Sequence, residues 1–353
     1  MRAGIRSRPW AGLDVGNYSV KLLAMQGGVA GAQYWMAEVP MPGRNGEAEA
    51  GNKPEVIARV IADCLERAGL SPRALRGVSL GIAGSDVIVK QISLPLMDDV
   101  EVGPALRFEA RKHLPFDPQG MVIDFQILGR YPTEKRLDVL LASVSQERLQ
   151  RRLTPLKLLG MDADIVDAAP LALTNALVHH ADVERDAHVL LDVGHSASHL
   201  TLFQRGEPYF SRRLEFGGRS LTEAIVKHTH VPLEEAEEFK IAAGSEQPGF
   251  RVDWELPEMR AIAECLRRDL VEDLLRSLAF YRTMGRLPEQ LNLWVSGGSA
   301  RLPGLAAQLT DMLGIPVLLF NPLDHLTGEP RTGHRPAVAP QFAQAFGLAL
   351  RSV

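Results

Sequence analysis

The chain has only two cysteines in its 353 residues, Cys64 and Cys265. Each falls inside a helix-like apolar pattern, so both read as reduced core residues, and a disulfide framework is excluded. No apolar run approaches the ~20 residues needed to span a bilayer. The N-terminal stretch Met1 to Pro9 is basic but has no apolar segment, so it reads as a disordered tail and not a signal peptide. Neither sign of charge dominates: 39 Lys and Arg face 43 Asp and Glu, for a net charge of −4 and a pI near 6.2. That balance carries no global nucleic-acid signal. What remains is an ordinary soluble composition, 46% apolar and 23% charged. The length exceeds what one hydrophobic core normally organises, so at least two domains are expected.

What is present is a repeat. Asp14-Val15-Gly16 returns as Asp192-Val193-Gly194. Each copy ends an apolar run, and each is followed by a polar turn, a second apolar run and a Gly turn (Gly28 and Gly206). The shared order of strand, Asp-x-Gly turn, strand, Gly turn, strand predicts two related lobes, each aiming a tight hairpin at a central cleft.

Other elements follow from periodicity. A helix is expected from Pro54 to Ala68, with Pro at its start and Gly69 at its end. From 87 to 160 the pattern becomes a compact α+β insert of strand, helix, strand, strand and helix. Ala169 to Val178, Ser220 to His230 and Leu233 to Ala243 read as helices. Ala261 to Gly285 is the strongest helix, with Ile262, Leu266, Leu270, Leu274, Leu278 and Tyr281 on one face. Leu291 to Val295 reads as a strand running into Ser296-Gly297-Gly298-Ser299, then a helix from Leu302, a strand at Val317 to Phe320, and a last helix from Gln341 to Leu350.

The chemistry-bearing residues cluster in these turns. Gly16 at a hairpin tip lets backbone N–H groups approach phosphate oxygens. Lys21 supplies a point cation. Asp14 cannot touch phosphate directly and must act through Mg²⁺ or its waters. The second copy offers Gly194, His195 and Ser196, with Asp192 as the matching carboxylate. At the place of Lys21 it carries His199, so the halves are not chemically equivalent. No Cys or carboxylate cluster completes a transition-metal set around His195 and His199. Gly297 and Gly298 form a surface without side chains beside a helix start, suited to a purine face or an anion. Glu237 and Lys240, three apart on a helix, share a face; they read either as a ribose- and purine-side pair or as a solvated ion pair.

In this order the pieces resemble the actin-like ATPase superfamily. The resemblance implies a first phosphate hairpin (Asp14, Gly16, Asn17, Tyr18, Ser19, Lys21), a connecting helix at 169–178, and a second hairpin (Asp192, Gly194, His195, Ser196). It further implies a nucleoside side made by Gly217, Gly218, Glu237, Lys240, Gly297, Gly298, Ser299 and Arg301, and a second connecting helix at 342–350 with Gly347. The cofactors would be ATP and Mg²⁺, with Asp14 and Asp192 holding the metal through water. The insert resembles the FtsA-like branch. Leu106 to Phe116 followed by Val122-Ile123-Asp124-Phe125, and the ending Gln341 to Arg351, resemble the PilM family of type IV pilus assembly proteins.

The expected fold is therefore two-lobed α/β, with duplicated ribonuclease H-like lobes and an α+β insert. Lobe I would comprise 10–86, 161–185 and 338–353, and the insert 87–160. Lobe II would comprise a core of 186–218 and 287–337, with a helical subdomain of 219–286. The family implies a cytoplasmic ATP-binding adaptor, peripheral to the inner membrane through its partners. The main partner would be the N-terminal cytoplasmic peptide of a PilN-like inner-membrane protein, bound in a groove between lobe I and the insert. Other platform proteins, motor ATPases and self-assembly are further implied partners. Arg107, Arg111 and Lys112 on the insert helix suit an acidic or carbonyl-rich segment. Bulky Tyr18, where small residues are usual, and the lack of an evident water-activating base imply at most slow hydrolysis. An FtsA-like membrane tether would need an amphipathic C-terminal anchor. A small-molecule kinase would need a cleft carboxylate, for which Asp167 is a candidate, although it also suits a helix N-cap.

Overall fold

The computed structural model describes residues 8–29, 31–42, 53–82, 87–113, 120–179, 187–204, 207–244, 253–283, 291–327, 330–332 and 335–352. The basic N-terminal segment before residue 8, Gly206 and the stretch 114–116 lie outside the described residues.

The first lobe opens with β1 (Trp10–Val15), β2 (Ser19–Gln26) and β3 (Gln33–Pro40), followed by α1 (Pro54–Arg67) and β4 (Gly77–Ile82). With β8 (Ile165–Ala168) they make a five-stranded sheet of order β3-β2-β1-β4-β8. The strands are nearly continuous apolar runs because both faces are covered. Ile57, Val60, Ile61 and Leu65 of α1 cover one face.

The second lobe repeats this plan. β9 (Ala187–Val193), β10 (Ser198–Gln204), β11 (Glu207–Leu214), β12 (Asn292–Ser296) and β13 (Val317–Leu319) run in the order β13-β12-β9-β10-β11. Position for position this is the first sheet again, and the duplication extends to the ladders. Asp14 pairs with Lys21 across β1 and β2, and Asp192 pairs with His199 across β9 and β10. Gly16 N–H donates to Ser19 O at 3.1 Å, and Gly194 N–H donates to Ala197 O at 3.2 Å. Between the lobes lie the connecting helices α4 (Ala169–Val178) and, in chain order the last helix, α10 (Ala343–Ala349). They share a buried cluster with Leu23 and Tyr34 of one sheet and Leu190, Phe203 and Trp294 of the other. Their small residues allow a very close approach: a Cβ on Gly347 would lie 1.8 Å from Ala172 O, and one on Gly12 of β1 would lie 2.0 Å from Ala345 O.

The insert contains β5 (Val87–Pro95), α2 (Asp99–His113), β6 (Met121–Tyr131) and β7 (Arg136–Ser145). Its own core holds Ile92, Leu94, Val102, Leu106 and Val139. Its sheet continues the second lobe's sheet through β11 and β5, joined by one residue pair, Phe210 with Lys90. Helix α3 (Gln146–Leu158) was expected to close the insert. By packing it belongs with the first lobe, because Leu156 buries beside α1 residues Val60 and Ile61 in that lobe's cluster. An apolar period alone cannot say which neighbour a helix covers.

The second lobe's helical side comprises α5 (Gly218–Thr229), α6 (Leu233–Ala243) and a long helix. That long helix begins at Pro257, earlier than its period suggested. It runs as α7 (Pro257–Cys265), a π-helical stretch Leu266–Val271 and α8 (Glu272–Thr283). Beyond β12, the expected helix from Leu302 starts later. A 3₁₀ turn, Gly298–Arg301, comes first, and α9 (Leu305–Leu313) begins only after Gly304 at φ 80°. Among the described residues, no helix is long and apolar enough to cross a membrane.

Candidate functional site

The two hairpins face one another across a cavity of about 310 Å³, within the size range of small-molecule sites. Every predicted site residue except Gly217 lines it: Asp14, Gly16, Asn17, Tyr18, Ser19 and Lys21 from the first hairpin, Asp192, Gly194, His195 and Ser196 from the second, and Gly218, Glu237, Lys240, Gly297, Gly298, Ser299 and Arg301 opposite. Gly217 sits just behind as the residue capping α5. A Cβ there would lie 2.5 Å from His195 O, so glycine lets the second hairpin rest against the helix start.

The deep end is acidic around one lysine. Lys21 Nζ lies 3.5 Å from Asp14 Oδ2, and both side chains are 12% exposed. Gln344 Nε2, from α10, donates to Asp14 Oδ1 at 3.0 Å, and Ser296 Oγ donates to Asp192 Oδ1 at 2.8 Å. Burial pushes the carboxyls of Asp14 and Asp192 up; Lys21 opposes the rise at Asp14, the Ser296 hydroxyl and Lys21 oppose it at Asp192, and Asp192 adds to it at Asp14. Burial pulls the Lys21 ammonium down, but Asp14, Glu38 and Asp192 outweigh it and raise it overall, so Lys21 remains a cation. Among the described residues, no three His, Cys, Asp or Glu side chains are grouped to hold a metal ion. Two carboxylates without such a cage fit Mg²⁺, which keeps several waters and takes its other oxygens from phosphates.

The opposite wall departs from one of the two sequence readings, the solvated pair. Glu237 and Lys240 are not a solvated pair; their side chains are 8% and 12% exposed, with Nζ 2.7 Å from Glu237 Oε2. Lys240 Nζ also donates to Gly218 O at 2.8 Å and Thr222 Oγ1 at 2.7 Å. Its three N–H donors are therefore engaged, and the lysine clips α5 to α6. Burial pushes the Glu237 carboxyl up, but the Lys240 ammonium and the Thr222 hydroxyl more than offset it and hold it below the usual range.

The sequence reading missed further lining residues: Glu38, Arg152, Arg213, Gln341 and Gln344; His199, noted as the counterpart of Lys21, lines the cavity too. The signal for two of them is the ladder. Lys21 pairs with Glu38 on β3, and His199 pairs with Arg213 on β11. One wall thus reads Asp14, Lys21, Glu38 and the other Asp192, His199, Arg213. His199 Nε2 is buried without a hydrogen-bond partner among the described residues, and burial, aided by Arg213, pushes its pKa down to about 4. Gln341 and Gln344 come from the far end of the chain, where no local pattern marked them. Asp167 is absent from the lining. Its carboxylate lies 3.0 Å from Arg351 Nε, and the residue capping α4 is Ala168, so Asp167 serves neither as a cleft base nor as an N-cap.

The duplicated lobes, connecting helices and apposed hairpins are an actin-like ATPase fold. A family model described as type IV pilus assembly protein PilM matches residues 12–353. The chain belongs to the PilM family. Among solved structures, the PilM-PilN type IV pilus biogenesis complex superposes with a TM-score of 0.79 at 28% identity, over 97% of each chain. MreB5 of Spiroplasma citri bound to AMPPNP shares the fold alone, with a TM-score of 0.50 at 14% identity over 98% of this chain and 96% of that one. The cell division protein FtsA of Streptococcus pneumoniae is 22% identical over 89% of this chain and 75% of its own length.

Proposed function

We propose that the protein is an ATP-binding adaptor of a type IV pilus assembly platform, recruited to the inner membrane by the N-terminal cytoplasmic tail of a PilN-like protein. The observation that carries this reading is the likeness to PilM in complex with PilN along 97% of both chains. The cavity supplies the nucleotide half. Gly16 and Gly194 leave backbone free to approach phosphate oxygens, Lys21 supplies charge, and Asp14 and Asp192 would flank Mg²⁺, which would neutralise phosphate charge. The 3₁₀ turn at Gly298–Arg301 would meet the nucleoside. Lys240 acts there by holding α5 against α6. Glu237 is the better candidate to accept a ribose hydroxyl.

The insert supplies the partner half. Helix α2 buries Val102, Leu106 and Ala110, yet it also exposes Val100 (84%) and Phe108 (66%). Apolar side chains on the outer face of a helix already satisfied on its inner face suit a protein contact. Lys112 pairs with Glu109 at 2.8 Å and sits 6.0 Å from the Phe108 ring. An extended tail would add main-chain hydrogen bonds and place alternate side chains in pockets. The test is calorimetric titration with a synthetic peptide of that tail. Deleting 88–143 removes the insert while keeping Ser145, which caps α3 by accepting from Arg148 N–H at 3.2 Å. The deletion should abolish peptide binding and leave ATP binding measurable. Wild-type peptide affinity in the folded deletion would put the partner site elsewhere.

A further inference from the structure

The two hairpin tips touch each other across the cavity. Asn17 Nδ2 donates to Ser196 Oγ at 3.3 Å. The rings of Tyr18 and His195 lie 5.0 Å apart, tilted by 42°. Neither hairpin needs the other to close, because each has its own internal bond, from Gly16 N–H to Ser19 O and from Gly194 N–H to Ala197 O. All four tip residues line the cavity. At the opposite side the lobes meet through the tight crossing of α4 and α10, where Gly347 lies against Ala172. The lobes are thus joined by a packed pivot on one side and by a small polar-aromatic contact on the other.

We propose that the Tyr18–His195 and Asn17–Ser196 pairs form an inter-lobe clasp that sets the rate at which a nucleotide enters and leaves. The inference rests on the reading of the cavity as an ATP site and adds a regulator to it. The asymmetry of strengths supports the assignment. Asn17 and Ser196 are exposed, so their hydrogen bond competes with water and contributes little, and the ring pair carries most of the closing energy. A contact this small can open without unfolding either lobe. The Tyr18 ring turns toward the second lobe, where it meets His195. His195 couples the clasp to the rest of the site: its carbonyl accepts from Arg219 N–H at 2.9 Å at the start of α5. Opening the tip therefore pulls on the helix whose other contacts hold Lys240 and Glu237.

The test uses the full chain and a fluorescent ATP analogue released in stopped flow. Tyr18→Ala and His195→Ala should each speed release about two- to tenfold, the effect of losing one aromatic pair. The double variant should be no faster than the faster single, because both remove the same contact. Tyr18→Phe keeps the ring and should release more slowly than Tyr18→Ala. Multiplying single effects in the double variant, or Tyr18→Phe releasing as fast as Tyr18→Ala, would overturn the clasp. A second arm needs no nucleotide. Hydrogen exchange at residues 194–197 should quicken in Tyr18→Ala, although the substitution is in the other lobe; unchanged exchange there would also overturn it. If the wild type binds no nucleotide, the ATP reading fails and the exchange arm alone decides the clasp.

Discussion

Replacing Lys21 by alanine tests the phosphate end of the cavity most sharply. Its Nζ stands 3.5 Å from Asp14 Oδ2, longer than the ~2.7–2.9 Å of a committed charge-assisted hydrogen bond. The ammonium is therefore held by three carboxylates, Asp14, Glu38 and Asp192, without being fully engaged by any. It has donors left for a phosphate. Losing one hydrogen bond to a charged group costs about 1.5–3 kcal/mol, or about 10- to 150-fold in affinity. The three carboxylates also lose their common counter-charge, which pushes Asp14 further toward its neutral form and weakens its hold on Mg²⁺. Both effects have the same sign. Calorimetry with Mg-ATP, alongside circular dichroism to confirm that the variant is folded, measures the sum. Equal affinity for a folded Lys21→Ala and the wild type would refute the role given to Lys21.

Steady-state phosphate release should fall below the ~1–100 s⁻¹ typical of kinases, since phosphoryl transfer depends on positioning and the bulky Tyr18 ring stands at the first phosphate hairpin; a rate inside that range would contradict this. Gly347→Ala should destabilise by at least about 1–3 kcal/mol in chemical denaturation, because its Cβ would lie 1.8 Å from Ala172 O; a neutral result would mean that the two connecting helices separate easily. His199 is held neutral with its pKa down at about 4, against 6.5 in the unfolded chain. The unfolded state therefore takes up a proton first as pH falls, and stability should drop between about pH 6.5 and 4 by up to about 3 kcal/mol. His199→Gln should flatten that part of the profile, and an unchanged profile would exclude the assignment.

Much of this architecture was legible because it is written locally. The Asp-Val-Gly repeat fixed two hairpins, and its register carried through to Asp14 opposite Lys21 and Asp192 opposite His199. Gly297 and Gly298 stood out for want of side chains, and both line the cavity. What was not legible depends on distant parts of the chain. Gln344 reaches Asp14 across 330 residues, and no pattern near either one says so. Glu237 and Lys240 have the spacing of an ordinary surface pair, and only α5 folding over them through Thr222 and Gly218 makes them a buried clip. Helix α3 has the period of any amphipathic helix, so its docking on α1 and not on the insert sheet was decided by tertiary packing. The π-helical stretch at Leu266–Val271 keeps the apolar face continuous, and nothing in the spacing distinguished it from α-helix.

A crystal structure of the protein with Mg-AMPPNP tests the central claim most directly. The account predicts phosphates between the Gly16 and Gly194 hairpins, a metal with waters flanked by Asp14 and Asp192, and the nucleoside against Gly298–Arg301. A nucleotide bound elsewhere, or none at saturating concentration, would contradict it.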